Sequence, residues 1–391
     1  MKYPKPELLA PAGSMEKLQV AFAYGADAVY LGGQAFNLRQ AAHNFDLEQL
    51  KEAVNLANKL KKKVYLTLNA LPSNEEIKAL PAYLQQIEKI KPHALIIADF
   101  GVLSLAKKYT TIPIHISTQA CVTNAEAIKF YQDLGVQRVI LARELTVEEI
   151  KKIKKQVTMD LEIFCHGSMC AGYSGKCHLS TYLSGRDSNR GFCVQNCRHK
   201  FNLYDEHKQL MESAFLMNSR DMMTIRLLPQ IMELGISSLK IEGRMRSNLY
   251  LANTVAVYRK LIDNPIEGDL KMWEAQLEKV SNRSFTDEYL QKRLGKKSIN
   301  YDWGGYLSKT EYLGLVKEVD EKGNLFVQVK APFEQGEGLE LIRPKASTIK
   351  IKIDKIYNMA NELITRTRPN SLVRIPCKKK VDKLAILSRK D

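Results

Sequence analysis

The sequence predicts an α/β protein: a (β/α)8 TIM-like barrel with a cysteine-bearing insertion after its seventh strand, followed by a small C-terminal antiparallel β-barrel. Eight short apolar runs alternate with amphipathic helical patterns over the first two-thirds of the chain. One interval between two runs is about seventy residues long. The last part of the chain alternates apolar and polar residues between turn signals. At 391 residues, the chain is long enough for one large domain and a smaller one.

The eight apolar runs are rich in β-branched residues and are typical of buried strands. They span residues 6–13, 28–33, 63–69, 94–99, 113–120, 138–145, 161–167 and 237–244. Between them, stretches such as "DLEQLKEAVNLANKLKK" carry apolar residues near i, i+3, i+4 and i+7, as a helix that covers a sheet should. A strand followed by a helix, eight times over, predicts a closed parallel barrel in residues 1–264.

Two further segments follow the predicted barrel. The segment "NPIEGD" at residues 264–269 breaks the pattern of the barrel, and polar helical stretches follow it. We therefore interpret residues 265–310 as a helical linker. Residues 311–391 alternate apolar and polar side chains around "DEKGN", which is a hairpin signal. We call residues 311–391 the C-terminal module and expect it to form the small antiparallel barrel.

The basic charge of the chain is concentrated in the C-terminal module. The net charge is +16, and residues 341–391 hold fourteen Lys or Arg against four Asp or Glu. Such an excess of basic residues is compatible with an ordinary solvated surface and also with a surface that contacts nucleic-acid phosphates. If the second interpretation holds, Lys378, Lys379 and Lys380 are candidate RNA-binding residues.

The chain is expected to be cytoplasmic, without a membrane partner. Its first residues, "MKYPKPELLAPAG", lack the apolar core of a signal peptide, and no later stretch approaches the ~18 apolar residues of a membrane span. In a reducing cytosol, clustered cysteines indicate a metal or catalytic site more often than a set of disulfides.

Four of the seven cysteines fall in the long interval after the seventh strand, which we place at about residues 168–217. They are Cys170, Cys177, Cys193 and Cys197. Loops that follow barrel strands lie at the C-terminal face, where active sites of such barrels are built. Several polar residues also follow predicted strands: Asn69, Asp99, Gln119, Arg143, Glu144, His166, Glu242 and Arg244. Each could merely cap a helix or pair a charge, but as a ring they indicate a site.

The spacing of the four cysteines does not name a metal. Cys170-x6-Cys177 and Cys193-x3-Cys197 match neither the paired C-x2-C of a zinc ribbon nor the C-x2-C-x2-C run of a bacterial ferredoxin. Four thiolates suit tetrahedral zinc or an iron–sulfur cluster. The other cysteines, Cys121, Cys165 and Cys377, lie in or near apolar runs and are predicted to be small core residues. His166, His178 and His199 flank the four and could assist them.

The stretch "EIFCHGSMCAGYSGKCHLS", from Glu162 to Ser180, resembles the signature of the peptidase U32 family. Further likenesses are "ELLAPAGSMEKLQVAFAYGADAVYLGG" near the start, "HISTQACVTN" from His115, "NSRDM" from Asn218 and "KIEGRMRS" from Lys240. With the C-terminal module, they cover nearly the whole chain. One departure is "NRSFTDEYL" at residues 282–290, where family members are expected to carry Gly-Phe after the Thr.

The resemblance is greatest to the branch of the family that hydroxylates tRNA, and it implies a function. The branch helps to form 5-hydroxyuridine at the wobble position without oxygen and depends on prephenate, while related proteins hold 4Fe-4S clusters on cysteines. The resemblance therefore implies tRNA as partner, prephenate as co-substrate and a 4Fe-4S cluster on Cys170, Cys177, Cys193 and Cys197, with zinc as the alternative. A paralogous U32 subunit is a further expected partner.

Roles for other residues follow from the chemistry that this function would need. Guanidinium groups pair with carboxylates in a bidentate way, so Arg143, Arg244 and Arg186 are candidates for holding a dicarboxylate such as prephenate. Glu242 or His166 could move protons. We therefore expect Glu242, His166, Arg143 and Arg244 to be catalytic.

Two alternatives stay open. The family name suggests a collagenase-like peptidase, but the sequence has no GxSxG or HExxH motif, and Ser168 beside His166 is not a triad. The second alternative is an RNA-binding or scaffold protein whose insertion is held by structural zinc. Metal analysis with an absorption spectrum distinguishes a coloured iron–sulfur cluster from colourless zinc.

Overall fold

The computed structural model describes residues 4–38, 44–264, 269–292 and 295–390. Residues 265–268 and 293–294 of the predicted linker and Asp391 of the C-terminal module therefore lie outside the described residues. The strands are β1 (Glu7–Pro11), β2 (Ala28–Gly32), β3 (Lys63–Leu68), β4 (Ala94–Ile97), β5 (Ile114–Ile116), β6 (Arg138–Ile140), β7 (Asp160–Ser168), β8 (Phe201–Tyr204), β9 (Leu210–Ala214), β10 (Asp221–Met223), β11 (Ser238–Ile241), β12 (Phe285–Thr286), β13 (Thr310–Val319), β14 (Asn324–Val329), β15 (Gly338–Ile342), β16 (Ile349–Lys352), β17 (Ile356–Tyr357), β18 (Leu363–Ile364), β19 (Leu372–Pro376) and β20 (Ile386–Lys390).

The α-helices fall mainly between the strands of the first part of the chain. They are α1 (Met15–Tyr24), α2 (Leu47–Lys59), α3 (Asn74–Ile77), α4 (Leu80–Ile90), α5 (Phe100–Tyr109), α6 (Ala125–Asp133), α7 (Val147–Lys154), α8 (Leu179–Ser184), α9 (Leu228–Glu233), α10 (Asn248–Asp263), α11 (Leu270–Glu278) and α12 (Glu288–Gln291). Six of the barrel helices begin at a side chain that accepts a hydrogen bond from the backbone of the first turn, which satisfies an otherwise unpaired N–H group. These N-caps are Ser14, Asp46, Asp99, Asn124, Thr146 and Ser247, and the short helix α3 has the same kind of N-cap at Ser73. Within the described residues, no helix is both long and apolar enough to cross a membrane.

The first part of the chain is a closed parallel barrel, as predicted. Strands β1 to β7 pair with their neighbours in chain order, and β11 pairs with both β1 and β7 to close the ring. Each of the eight predicted apolar runs overlaps a barrel strand, although the strands β5 and β6 are only three residues long. The fold class is thereby confirmed.

One barrel strand continues beyond the ring and organises the insertion. The end of β7 pairs antiparallel with β10, and β10 pairs parallel with β12, so residues far apart in the sequence join one sheet. The insertion also carries the short helix α8 and the hairpin β8–β9, whose side chains are largely exposed. The predicted linker contains α11 and α12, but it also supplies β12 and therefore packs on the barrel and the insertion.

The C-terminal module is a curled antiparallel sheet with its own apolar core. The strand order is β16-β15-β20-β13-β14-β19-β17-β18, and the core includes Phe333, Leu325 and Ile375. The module docks on α1 and α10. The Tyr24 hydroxyl donates to the carbonyl oxygen of Ile342 at 2.7 Å, and Lys317 pairs with Glu16 at 2.9 Å. These contacts hold one side of the module against the barrel.

Candidate functional site

A cavity of about 330 Å³ lies at the C-terminal ends of the barrel strands, and we call it the cysteine cavity. All four clustered cysteines line it, together with Arg143, Ser168, Lys240, Glu242 and Arg244. Thiols, cations and a carboxylate thus share one concave site at the face where barrels of this kind carry their chemistry.

Two glycines bring the first pair of cysteines to this cavity. Gly167 has a φ of +107°, and a Cβ there would lie 2.4 Å from the backbone oxygen of Glu242, so only glycine lets β7 pass this close to the end of β11. Gly175 has a φ of +71°, and a Cβ there would lie 2.0 Å from the backbone oxygen of Gln119. The loop that carries Cys170 and Cys177 is therefore pressed against the ends of the strands.

Ser174, at the centre of that loop, is fully buried and anchors it to the barrel. The backbone N–H of Ser174 donates to the Glu144 carboxylate at 2.9 Å, and its hydroxyl accepts from Nε of Arg143 at 3.0 Å. Because Arg143 also lines the cavity, the same contacts orient a guanidinium towards the cysteines. Glu144, predicted as a member of the polar ring, thus holds the loop and is not among the residues that line the cavity.

The second half of the insertion is tied down by side-chain hydrogen bonds. The Ser188 hydroxyl donates to the backbone oxygen of Cys177 at 2.7 Å. The Ser180 hydroxyl accepts from the N–H of Val194 at 3.3 Å, and the side chains of Ser184 and Asn196 bond to each other. These contacts connect the segment around Cys177 with the segments that precede Cys193 and Cys197.

The four thiols are close enough to affect one another's ionisation. Burial raises the pKa of Cys197 to about 11; the nearby Arg198 lowers it, while Cys170, Cys193 and Cys177 raise it further. Each thiolate formed in the cavity therefore makes the next one harder to form unless a cation enters. Four such thiols are chemically suited to bind a soft metal or an iron–sulfur cluster.

The four sulfurs do not converge on a single point. Among the described residues, no three His, Cys, Asp or Glu side chains are grouped closely enough to hold one metal ion. A tetrahedral zinc with Zn–S bonds of ~2.3 Å needs its sulfurs only about 3.8 Å apart. The cavity lining thus supplies thiol ligands of the kind that both zinc and iron–sulfur clusters use.

Lys240 is a lining residue that the sequence analysis did not select. Its ammonium lies 3.1 Å from a carboxylate oxygen of Glu162 and 4.5 Å from the centroid of the Tyr30 ring. Lys240, Glu242 and Arg244 line the cavity together. Lys240 lies near the end of β11, two residues before Glu242, so its position beside a predicted member of the polar ring could have identified it.

Arg143 and Arg244, predicted to be catalytic, are both held in place at the cavity. Burial lowers the pKa of Arg143, but Cys170, Glu144 and Tyr289 together raise it by more than burial lowers it, so the guanidinium stays charged. Nη2 of Arg244 donates to the side-chain oxygens of Asn37 and Asn44, at 2.9 and 2.7 Å. Two cations fixed in this way suit an anionic substrate.

Two further arginines meet at Ser168, another lining residue. Arg246 and Arg283 each donate to its hydroxyl oxygen at 2.9 Å, and both stack on the Tyr306 ring at about 4 Å. Asp221 accepts from Arg246 at 2.7 Å. Arg246 and Arg283 are far apart in the sequence and belong to no periodic pattern, so sequence reasoning could not place them together.

His166 does not reach the cysteine cavity. Its side chain is fully buried and packs against the rings of Tyr250, Tyr258 and Phe285. Burial, with a smaller contribution from Arg246, lowers the pKa of His166 to about 3, so the imidazole is neutral. The position of the ring behind the cavity wall gives no support to its predicted proton transfer.

Some of the other predicted residues line the cysteine cavity, and others do not. Asn69, Gln119 and Glu242 line the cavity as expected of the polar ring, whereas Asp99 caps α5. Arg186 is exposed and is not a lining residue. Three predicted RNA-binding residues, Lys378, Lys379 and Lys380, are exposed on the C-terminal module.

Comparisons with known proteins cover nearly the whole chain. The model of peptidase family U32 matches residues 13–300, and that of the peptidase family U32 C-terminal domain matches residues 308–388. The chain is 36% identical over 394 residues to tRNA hydroxylation protein P1 of Bacillus subtilis (96% of this chain, 93% of that protein). It is 34% identical over 411 residues to tRNA hydroxylation protein P of Escherichia coli (92% and 90%). It is also 30% identical over 406 residues to a protein of Porphyromonas gingivalis named collagenase (96% and 95%).

Proposed function

This chain belongs to peptidase family U32, and we propose that it is an RNA hydroxylase that converts the wobble uridine of tRNA into 5-hydroxyuridine. One observation carries the proposal: four cysteine thiols share a cavity with Lys240, Arg143 and Arg244 at the catalytic face of a barrel. Relatives named for tRNA hydroxylation, at 34–36% identity over more than nine-tenths of this chain, support RNA as the substrate.

The reaction requires a redox-active group. With water as the formal oxygen source, replacing C5–H of uridine by C5–OH releases two electrons and two protons, and protein side chains do not take up electron pairs in this way. Cys170, Cys177, Cys193 and Cys197 would hold a 4Fe-4S cluster, which supplies electron transfer when bound. The thiols suit this group because iron–sulfur clusters are held by cysteine thiolates and all four thiols line one cavity.

The charged lining residues suit an acidic co-substrate, and we assign prephenate to this role. Prephenate carries two carboxylates, and guanidinium groups bind carboxylates through paired hydrogen bonds. Arg143 and Arg244 would hold these carboxylates, while the ammonium of Lys240, paired with Glu162 below, lies at the cavity floor. Glu242 is the carboxylate on the lining that can accept a proton from the reacting base.

Peptidase activity has less support from the same cavity. A serine nucleophile needs a neighbouring base to take its proton. The Ser168 hydroxyl instead accepts hydrogen bonds from Arg246 and Arg283, and a guanidinium does not act as a base. The neighbouring imidazole of His166 is buried behind the wall.

Nucleoside mass spectrometry of tRNA tests the proposal. Cells that lack the protein should lose 5-hydroxyuridine, and the wild-type gene should restore it. Cys193→Ser should fail to restore it, whereas Cys377→Ser, on the C-terminal module, should succeed. Undiminished 5-hydroxyuridine in the deleted cells would refute the function. Purified protein should leave gelatin intact, and cleavage that is lost in Ser168→Ala would favour the peptidase.

A further inference from the structure

A second cavity, of about 1180 Å³, lies at the opposite end of the barrel from the cysteines, and we call it the basal cavity. Its floor is made by residues at the starts of barrel strands, including Glu7, Lys63 and Arg138. Its walls are α10, α11 and the turn between β15 and β16 of the C-terminal module. The N-terminal face of a barrel usually serves stability alone, but here a second module covers it and creates a concave site.

The basal cavity is strongly basic. Its lining contains nine Lys or Arg residues and four Asp or Glu residues. All four acids have a basic partner. Asp27 pairs with Lys62 and Arg259, Asp263 pairs with Lys5 and Arg259, Glu7 pairs with Arg138 and Lys63, and Asp160 lies 3.9 Å from Arg138.

Four lining cations have no acidic partner among the described ion pairs. They are Lys61, Lys260, Arg343 and Lys345. They come from three separate parts of the chain: the end of α2, the end of α10, and the β15–β16 turn. Unpaired cations that converge on one cavity favour an anionic ligand, because the cavity walls limit screening by water.

The turn that supplies Arg343 is held in a defined shape. Nε of Arg343 donates to the backbone oxygen of Ser347 at 3.0 Å, and Nη1 donates to that of Lys380 at 3.0 Å. The Tyr24 hydroxyl fixes the preceding residue, Ile342, to the barrel at 2.7 Å. A positioned turn costs a ligand less ordering entropy than a mobile one would.

One wall of the basal cavity is aromatic and apolar. Trp273 lines it beside Met272, Ala256 and Val257. The ammonium of Lys260 lies 5.3 Å from the centroid of the Trp273 ring. The indole N–H of Trp273 is shielded from water and has no hydrogen-bond partner in the described structure. An aromatic face next to unpaired cations matches a ligand that has a flat base and a phosphate.

From these contacts we infer that the basal cavity binds a nucleotide, either free or as part of an RNA chain. The phosphates contact Lys260, Arg343 and Lys345, and the base lies against Trp273. The inference concerns a site remote from the cysteine cavity and does not depend on the hydroxylation reaction.

Tryptophan fluorescence of the full chain tests the inference directly. The protein contains two tryptophans, Trp273 and Trp303, so Trp303→Phe leaves Trp273 as the sole reporter. Titration of this variant with magnesium-free ATP should quench its emission, whereas adenosine and inorganic tripolyphosphate should each bind more weakly. Adding Lys260→Ala and Arg343→Ala should weaken ATP binding roughly tenfold or more. The matched control, Lys352→Ala with Lys355→Ala, removes two exposed cations of the same module that do not line the cavity.

The outcomes separate the possible ligands. Unmodified tRNA that competes with ATP for Trp273 assigns the site to nucleotides of RNA, and tRNA that does not compete assigns it to free nucleotides. Absence of quenching up to millimolar ATP, or quenching that is unaffected by loss of Lys260 and Arg343, overturns the inference. If tripolyphosphate binds as tightly as ATP, the base contributes nothing to binding, and the inferred contact between the base and Trp273 is wrong. Because the readout is binding, none of these results depends on whether hydroxylation is found.

Discussion

The ammonium of Lys240 lies 3.1 Å from the Glu162 carboxylate inside the barrel, where both side chains are buried. Glu162 also accepts from Arg138 at 3.2 Å, and Arg138 pairs with Glu7 at 2.6 Å. A chain of buried charges thus runs from the basal cavity, which Glu7 and Arg138 line, to the cysteine cavity, which Lys240 lines. The centre of this barrel is partly ionic, and its charges are matched.

This arrangement predicts unequal costs for removing Glu162 and Lys240. Glu162→Gln leaves Lys240 without an acidic partner in the described structure, so the free energy of unfolding should fall by about 3–5 kcal/mol. Lys240→Met leaves Glu162 still paired with Arg138, and it should cost less, about 1.5–3 kcal/mol. Urea unfolding followed by circular dichroism measures both values.

A double variant controls this comparison. If the two charges interact as the distance indicates, the effects of Glu162→Gln and Lys240→Met should not add. The double variant should then lose less unfolding free energy than the two single variants lose in sum. Lys63→Met, which removes a half-exposed lysine 3.6 Å from Glu7, serves as the surface control and should change stability by less than ~1 kcal/mol. Additive effects, or a greater cost for Lys240→Met, would contradict the assigned network.

The barrel could be predicted because its signal is local. Each strand is an apolar run of a few residues, and each following helix repeats with a period near 3.6. The pairing of β10 with β7 could not be predicted, since β10 spans only Asp221–Met223 and its partner lies more than fifty residues earlier. Such pairing depends on tertiary contacts rather than on a pattern within the strand.

The candidate site, like the fold, could be predicted only in part from the sequence. Cys170, Cys177, Cys193 and Cys197 stood out by their density, and Arg143, Glu242 and Arg244 by their position after strands. His166 satisfied the same positional rule, yet it lies behind the cavity wall, because the pairing of β7 with β11 changes register between Phe164 and His166 and so breaks the alternation of side chains there. The arginines around Ser168 and the basal cavity arise where distant segments meet, and the sequence carries no local signal for them.

The second prediction concerns the clustered cysteines. Replacing Cys170, Cys177, Cys193 or Cys197 by Ser should remove bound iron and abolish formation of 5-hydroxyuridine, because a hydroxyl is a poor ligand for iron in a cluster. Iron and sulfide analysis of anaerobically purified protein measures the first effect, and nucleoside mass spectrometry measures the second.

Cys121→Ser and Cys377→Ser are the matched controls. Both thiols are partly buried, and neither lines the cysteine cavity, so both variants should keep wild-type iron content. A Cys193→Ser protein with full iron content and activity would exclude this cysteine as a ligand. One equivalent of zinc and no iron in the wild-type protein would support the structural-zinc alternative instead.

The third prediction follows from the pKa of His166, which burial lowers from 6.5 to about 3. A histidine with a lowered pKa in the folded state binds its proton more readily when unfolded. Its contribution to stability is therefore complete above about pH 6.5 and is lost progressively as the pH falls towards 3. Within that window, His166 should contribute a slope of about 1.4 kcal/mol per pH unit.

Comparison of variants isolates this slope from the other titrating groups. His166→Phe should reduce the dependence of the unfolding free energy on pH between about 6 and 4 by nearly one proton. His207→Gln, at an exposed histidine, is the control for the loss of an imidazole from the surface. Urea unfolding at a series of pH values gives the slopes, and equal slopes for wild type and His166→Phe would show that the imidazole is protonated in the folded protein.

The final prediction concerns the C-terminal module. Reversing Lys378, Lys379 and Lys380 to Glu should weaken tRNA binding, and the affinity of the wild-type protein should fall steeply between roughly 50 and 200 mM salt, because bound cations release counterions from RNA. The lysines are exposed, so the change should leave the fold intact. Deleting the module is a poorer test, because Leu315 and Ile386 belong to the core shared with the barrel and their removal would expose it.

Filter binding across that salt range, with circular dichroism and iron analysis of each variant, completes the test. The expected result is lower tRNA affinity and a shallower salt dependence, with unchanged iron content and unfolding midpoint. Lys151→Glu combined with Lys152→Glu and Lys155→Glu, on the surface of α7 and its C-cap, is the matched control, since it reverses three exposed charges on the barrel rather than on the module. Equal losses of affinity in both variants would mean that RNA responds only to net charge, and the basic surface of the module would then have no specific part in binding.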